Sequence, residues 1–357
     1  MNDIQPRWYQ SRGLVPKSGW APLLRRYGIV LAFLMLVIAV AIGSPSFLSL
    51  QNLLNIVVQW TPAGILAVGA TFVILAGGFD LSAASGFALC TVVAAILATN
   101  GIPVSLSFLV AILVGVGIGI INAILIVALK INPFIATLAS GFALAGAPFI
   151  LVENPFIMVS EDGFDTLGTG HWLGIPYSGL VLLAFFVIGD VLLSRTPYGQ
   201  SIYSIGGNPE ASHLFGIRVG LVTASTYVVS GLSMGVAAIV SASQLSYSAS
   251  EQDPALIFDV IVSVVVGGTS LAGGYGAMWR TAIGLATLAT LQNGLNLLQV
   301  DSSSQYIVKG FIIIVALGFD VWMRSLAQSS ERSARRPQST AQPATYAKAL
   351  SAAEEKT

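Results

Sequence analysis

The sequence predicts an all-α integral membrane protein of about ten transmembrane helices, some of them short or broken. Hydrophobic residues fill 55% of its 357 positions and charged residues only 9%, against about 25% charged in a soluble domain. Apolar stretches fall at 28–44, 57–76, 82–99, 104–129, 133–152, 177–193, 221–243, 256–270, 277–299 and 305–323. Most are close to the roughly 20 residues that cross a bilayer, range 17–25. The runs are continuously apolar and lack the alternation of barrel strands, which favours helices.

The first element is a basic segment, 1–27, with Arg7, Arg12, Lys17, Arg25 and Arg26 ahead of the first apolar run. It is long for a cleaved leader, although Ala39-Val40-Ala41 faintly resembles a cleavage site. The expectation is an uncleaved first span. The membrane domain runs from 28 to 323. Stretch 256–270 is short, and 104–129 is long enough to require tilt or a break. The tail, 324–357, is rich in Ala, Ser, Gln and charge, and reads as disordered.

An even number of spans puts both termini on one side. Eleven of the 16 Lys and Arg lie in the two ends. Among the remaining five, Lys130, Arg195, Arg218 and Arg280 fall in loops on the side of the termini, and only Lys309 falls at an opposite end. That is the positive-inside pattern, so both termini are expected in the cytoplasm. The opposite loops carry Glu153, Glu161, Asp162, Asp165, Glu251, Asp253 and Asp301. One of them, 153–176, exceeds the roughly 12–15 residues beyond which structureless loops are uncommon. Its glycines and prolines favour a surface loop, either an idle acidic one or a docking surface.

Two kinds of break punctuate the apolar runs. The segment 206–217 holds a short capped helix: Asn208 as N-cap, Pro209 in the first turn beside Glu210 and Ala211, and Gly216 at the far end after Gly206-Gly207. Two turns, roughly 10 Å long, are marginal in water alone, so the helix is expected to dock on something. A connector lying on the chain's own spans and a contact for a partner both satisfy that. The second break is an echo between Gly77-Gly78-Phe79-Asp80-Leu81 and Gly267-Gly268-Thr269-Ser270-Leu271, the latter continuing to Gly273-Gly274 and Gly276. Repeated broken helices are a transporter feature, and glycines also let helices approach closely.

Asp80, Asp190, Asp259 and Asp320 lie in or beside spans, where an ionisable group is functional by default. Capping and interfacial pairing are their structural alternatives. Uncharged Gln59, Thr61, Asn122, Gln292, Asn293 and Asn296 are the better candidates for a solute pathway, because an amide in hydrocarbon must meet a partner or a wet cavity. Helix-to-helix pairing would satisfy them equally. The two histidines fall in different loops and the one cysteine, Cys90, lies in an apolar run, so neither a metal site nor a hydrolase triad is visible. There is no phosphate-binding Gly-x-x-x-x-Gly-Lys-Ser/Thr loop, and the net charge of zero gives no reason to expect nucleic acid. The chain reads as a transporter and not an enzyme. If ATP drives it, another chain binds the nucleotide.

Four blocks carry a family resemblance: 77–82, 206–217, 267–276, and Asn293-Gly294-Leu295-Asn296-Leu297-Leu298 followed by Val308-Lys309-Gly310. In order and spacing they resemble the permease subunit of bacterial ribose-type ABC importers, which carry monosaccharides and related polyols. Departures include Ala83-Ala84, His213, Phe215 and Gln292, where the family usually has other residues. The resemblance implies a multi-pass inner-membrane protein, a second permease subunit completing the pore, either identical (a homodimer) or a close relative, and a solute-binding protein outside. It also implies a cytoplasmic ABC ATPase holding ATP and magnesium, with 208–215 as the helix docked in that ATPase. This chain itself would hold no cofactor. Related scaffolds that import nucleosides or branched-chain amino acids remain an alternative. A more distant one is an ion-coupled carrier using Asp80 or Asp190.

Overall fold

The computed structural model describes residues 21–152, 156–249, 255–311, 314 and 318, with side chains from 28 onward. The chain divides after Lys309 into two compact units; of the second, 310, 311, 314 and 318 are described, and all four are helical. The expectations for 1–20 and for the tail from 324 lie outside the described residues.

Each of the ten predicted stretches contains a helix, although 256–270 stays helical only to Val266. They are α1 (Ala21–Gly43), α2 (Leu50–Leu75), α3 (Ala83–Thr99), α4 (Val104–Ala123), α5 (Pro133–Leu151), α7 (Tyr177–Arg195), α10 (Val219–Leu245), α11 (Ala255–Val266), α12 (Met278–Leu297) and α13, which begins at 302. Among the described residues, five of these, including α4 with the π-helical turn Ile124–Ala128 that extends it, are long and apolar enough to cross a membrane. Of the others, α3 has 17 residues and α11 has 12, and α12 is more polar. The 12 residues of α11 reach only about 18 Å, and α12 carries Arg280, Gln292, Asn293 and Asn296 along its length. Three short helices were not expected as spans: α6 (Thr166–Thr169), α8 (Pro197–Gly207) and α9 (Pro209–Leu214).

At the centre, α10 packs against α2, α3 and α4. Its contact with α4 is close because both helices present glycines four apart, Gly115 and Gly119 meeting Gly231 and Gly235. A β-carbon at Gly115 would lie 2.8 Å from the Gly235 nitrogen, and one at Gly231 would lie 2.9 Å from the Gly119 nitrogen. Small residues at this spacing let two backbones touch where lipid offers no hydrophobic drive to association.

The α9 end of the bundle carries Lys130, Arg195, Arg218 and Arg280, each at or next to a helix end. At the opposite end of α10, the loop after α5 is a folded surface element. Strand β1 (Phe156–Met158) pairs antiparallel with β4 (Tyr247–Ala249), and β2 (His171–Trp172) pairs with β3 (Ile175–Pro176). The Gly168 N–H of α6 donates to the Ser243 hydroxyl at 2.9 Å, tying this loop to α10. Asp301 caps the start of α13, and hydrogen bonds from the Ser304 hydroxyl and N–H hold its carboxyl below the usual carboxylate range.

Candidate functional site

The capped helix forms as the sequence requires. The Asn208 side-chain oxygen accepts the Ala211 N–H at 2.9 Å, Pro209 opens α9, and Glu210 sits in its first turn. Gly216, at φ 83°, ends it. Its N–H donates to the His213 carbonyl (2.9 Å), while Ile217 N–H donates to Ser212 (3.1 Å), so the last carbonyls are satisfied. α9 has six residues. Leu214 and Phe215 at its tip are each 86% exposed, an apolar knob on a polar turn.

Behind α9, helix α8 turns Gly199, Ile202 and Ile205 inward and lies on α7, α2 and α10. This helix, absent from the sequence reading, carries the capped segment into the glycine breaks. Gly206 abuts the Leu75 carbonyl at the end of α2, and a β-carbon on it would lie 3.1 Å from the Gly273 carbonyl carbon. Gly273 in turn meets Gly77, and Gly274 meets Gly207. The Gly274 N–H donates to the Leu75 carbonyl at 2.9 Å, and the Tyr203 hydroxyl donates to the Gly276 carbonyl at 3.1 Å. Glycine blocks far apart in sequence therefore converge on one point where a side chain at Gly206, Gly273 or Gly274 would collide with backbone.

The internal echo is present with its register moved by one. Gly77 (φ 84°) and Gly268 (φ 85°) are the left-handed residues that close α2 and α11 with matching pairs of hydrogen bonds. The equivalent pairs are thus Ala76-Gly77 and Gly267-Gly268, since Gly78 follows the cap where Gly267 precedes it.

Asp80 is buried between α2 and α3. One carboxylate oxygen accepts the Ser82 hydroxyl (2.6 Å) and N–H (3.1 Å), and the other accepts the Ser230 hydroxyl (2.7 Å) from α10. Asn122 donates to Ser82 at 2.8 Å and accepts from Ser140 at 2.7 Å, linking α4 and α5 to the same cluster. The Phe79 carbonyl accepts the Tyr227 hydroxyl at 3.2 Å. This network seats the broken segment against three helices.

The other candidate amides separate by role. Thr61 donates to Val57 within α2 at 2.8 Å. The next residue, Pro62, has no N–H to give the Val58 carbonyl, and Gln244 of α10 supplies that bond at 3.0 Å. Asn293 exchanges two bonds with Asn52, and Asn296 accepts from Gln305 at 2.8 Å. Gln59 is exposed, whereas the Gln292 Oε1 is buried and has no partner among the described residues. The sequence reading missed Gln244, Asn52, Gln51 and Asn55. A proline inside an apolar run signals an orphan carbonyl four residues earlier, and that signal could have led to Gln244.

Of the acids, Asp190 is half-buried in α7 and Asp259 pairs with Lys309 at 2.9 Å. That pairing occupies Lys309 of α13. Asp320 lies outside the described residues. No group of three metal-ligating side chains occurs among the described residues.

A family model described as branched-chain amino acid transport system / permease component matches residues 52–317. The ribose import permease protein of Bacillus subtilis is 38% identical over 300 residues, which cover 84% of this chain and 93% of that one. The ribose import permease protein of Haemophilus influenzae is 36% identical over 299 residues, covering 82% and 93%. The L-arabinose ABC transporter permease protein of Azospirillum brasilense is 34% identical over 309 residues, covering 87% and 91%. No solved structure matches the chain.

Proposed function

We infer the function from membership: this chain belongs to the family of branched-chain amino acid transport system permease components, and it is the permease subunit of an ATP-driven sugar importer. Similarity over 82–87% of the chain to ribose and L-arabinose permeases supports the sugar. The observation that carries ATPase coupling is α9. It is a capped helix too short to be stable alone, with exposed Leu214 and Phe215 at its tip and glycine-tight backbone behind it.

In this reading α9 docks in a groove of a cytoplasmic ABC ATPase, which holds ATP and magnesium. Gly206, Gly207, Asn208, Pro209, Glu210, Ala211 and Gly216 shape the connection. Nucleotide-driven closure of the ATPase moves α9, and the node at Gly77, Gly206 and Gly273 passes the movement to α2 and to the linker before α12. The chain performs no covalent chemistry. It sits in the bacterial inner membrane as a multi-pass protein with both termini cytoplasmic. A second, identical permease subunit completes the pore, and an extracytoplasmic solute-binding protein delivers the sugar at the end bearing β1 and β4.

The test is affinity purification of the tagged chain from its native membrane, followed by uptake in vesicles. An ATPase that co-purifies, and is lost when Asn208-Pro209-Glu210 becomes Gly-Ser-Gly in a folded permease, supports the reading. ATP-dependent uptake of ribose or arabinose in preference to leucine or uridine supports the substrate class. The family description makes leucine the necessary competitor. Uptake driven by an ion gradient without ATPase would overturn the assignment.

A further inference from the structure

The outer half of α2 has two exposed faces of opposite character. Gln51, Asn55 and Gln59, four residues apart, form one continuous stripe of amides, with Gln51 donating to Asn55 at 3.2 Å. Leu50, Leu53 and Val57 occupy the opposite side of the helix. Lipid suits the second face. The first would leave three amides in hydrocarbon, where polar groups are costly.

Position around the helix says where the stripe points. The Val58 carbonyl marks the side of α2 turned to α10 through Gln244, and Asn52 marks the side turned to α12 through Asn293. At about 100° per residue, 51, 55 and 59 fall between those two directions. On α12, Gln292 is one residue from Asn293, and its buried Oε1 lacks a partner among the described residues. An acceptor without a donor on α12 and a row of exposed amides on α2 thus lie on two helices joined through Asn52 and Asn293.

We propose that Gln51, Asn55 and Gln59 of α2, with Gln292 of α12, form the solute-facing wall of the translocation pathway and pair with the hydroxyls of a neutral, polyhydroxylated solute. Amides donate and accept without charge, so they can exchange hydroxyl partners along a path without holding an ion. The repeat of one amide per turn, about 6 Å, is close to the width of a sugar ring. The inference rests on the reading of the chain as a sugar permease and adds to it the residues and the direction of the path.

The experiment uses single cysteines in the full chain assembled with its ATPase, because the native Cys90 is fully buried and serves as a silent background. A membrane-impermeant cationic thiosulfonate is added from the outside. Gln51→Cys, Asn55→Cys and Gln59→Cys are expected to label, with Leu50→Cys, Leu53→Cys and Val57→Cys protected. Ribose or arabinose is expected to slow labelling of the first set several-fold. Asn55→Leu is expected to raise KM for the pentose about three- to tenfold, with Asn55→Gln restoring most of it. No labelling of the stripe, or equal labelling of both faces, overturns the inference while pentose uptake leaves the sugar-permease reading standing. Oxidative cross-linking of Asn55→Cys between two copies overturns it in favour of a subunit contact. Protection and uptake by leucine alone overturn the solute class and the sugar-permease reading together.

Discussion

Gln244 of α10 donates its amide to the Val58 carbonyl of α2, the one carbonyl that Pro62 leaves without an intrahelical donor. A defect in one helix is thus repaired by the side chain of another, which fixes the register of the two. Gln244→Leu should destabilise the protein by about 1–2 kcal/mol. Pro62→Ala, which restores an N–H within α2, should remove most of that penalty in the double variant. Thermal unfolding of the four proteins of the cycle in detergent checks it, and additive penalties would show that the bond does not repair the proline.

Asn52 and Asn293 exchange two hydrogen bonds of 2.9 Å. Truncating either alone strands the other amide between α2 and α12, so Asn52→Leu and Asn293→Leu should each cost about 1–2 kcal/mol. The double Leu variant should be closer to wild type than the sum of the two. Denaturant midpoints of the single and double variants test the coupling.

At the glycine node, Gly206 has the Leu75 carbonyl and the Gly274 N–H against it, whereas nothing lies within 4 Å of a β-carbon at Gly207. Gly206→Ala should therefore lower stability and ATP-dependent uptake sharply, with Gly207→Ala near wild type. Measuring expression, melting temperature and uptake for both separates the two neighbours; equal behaviour would argue against the node.

The α4–α10 contact makes a similar pair. Gly115→Ala puts a methyl into the backbone of α10 and should cost about 1–3 kcal/mol. Gly117→Ala, in open space on the same helix, should be neutral. Melting temperatures of the purified variants are sufficient.

At the tip of α9, Leu214→Ser with Phe215→Ser should leave the permease folded, since both side chains project into solvent. ATPase recovery in affinity purification should fall at least as far as with Asn208→Ala, whose lost cap is worth about 1 kcal/mol. Full ATPase recovery from the double variant would place the docking contact elsewhere.

What the sequence determined by itself is the class of molecule and the local signals. Ten apolar stretches become helices because hydrocarbon leaves the backbone no other partner. Asn208, Pro209 and Gly216 bound α9 because caps are properties of a few adjacent residues. Tertiary structure alone decided which polar groups are spent on structure. Thr61, Asn122 and Asn293, alike in sequence with Gln59 and Gln292, are bonded to Val57, Ser82 and Asn52. The partners of Asn122 and Asn293 come from other helices, and helical periodicity gives the face of a residue without naming the helix that packs there. The same holds for the glycines. Their φ angles at 77 and 268 follow from local capping, but the meeting of 77, 206 and 273 follows from how three distant turns pack at one end of the bundle.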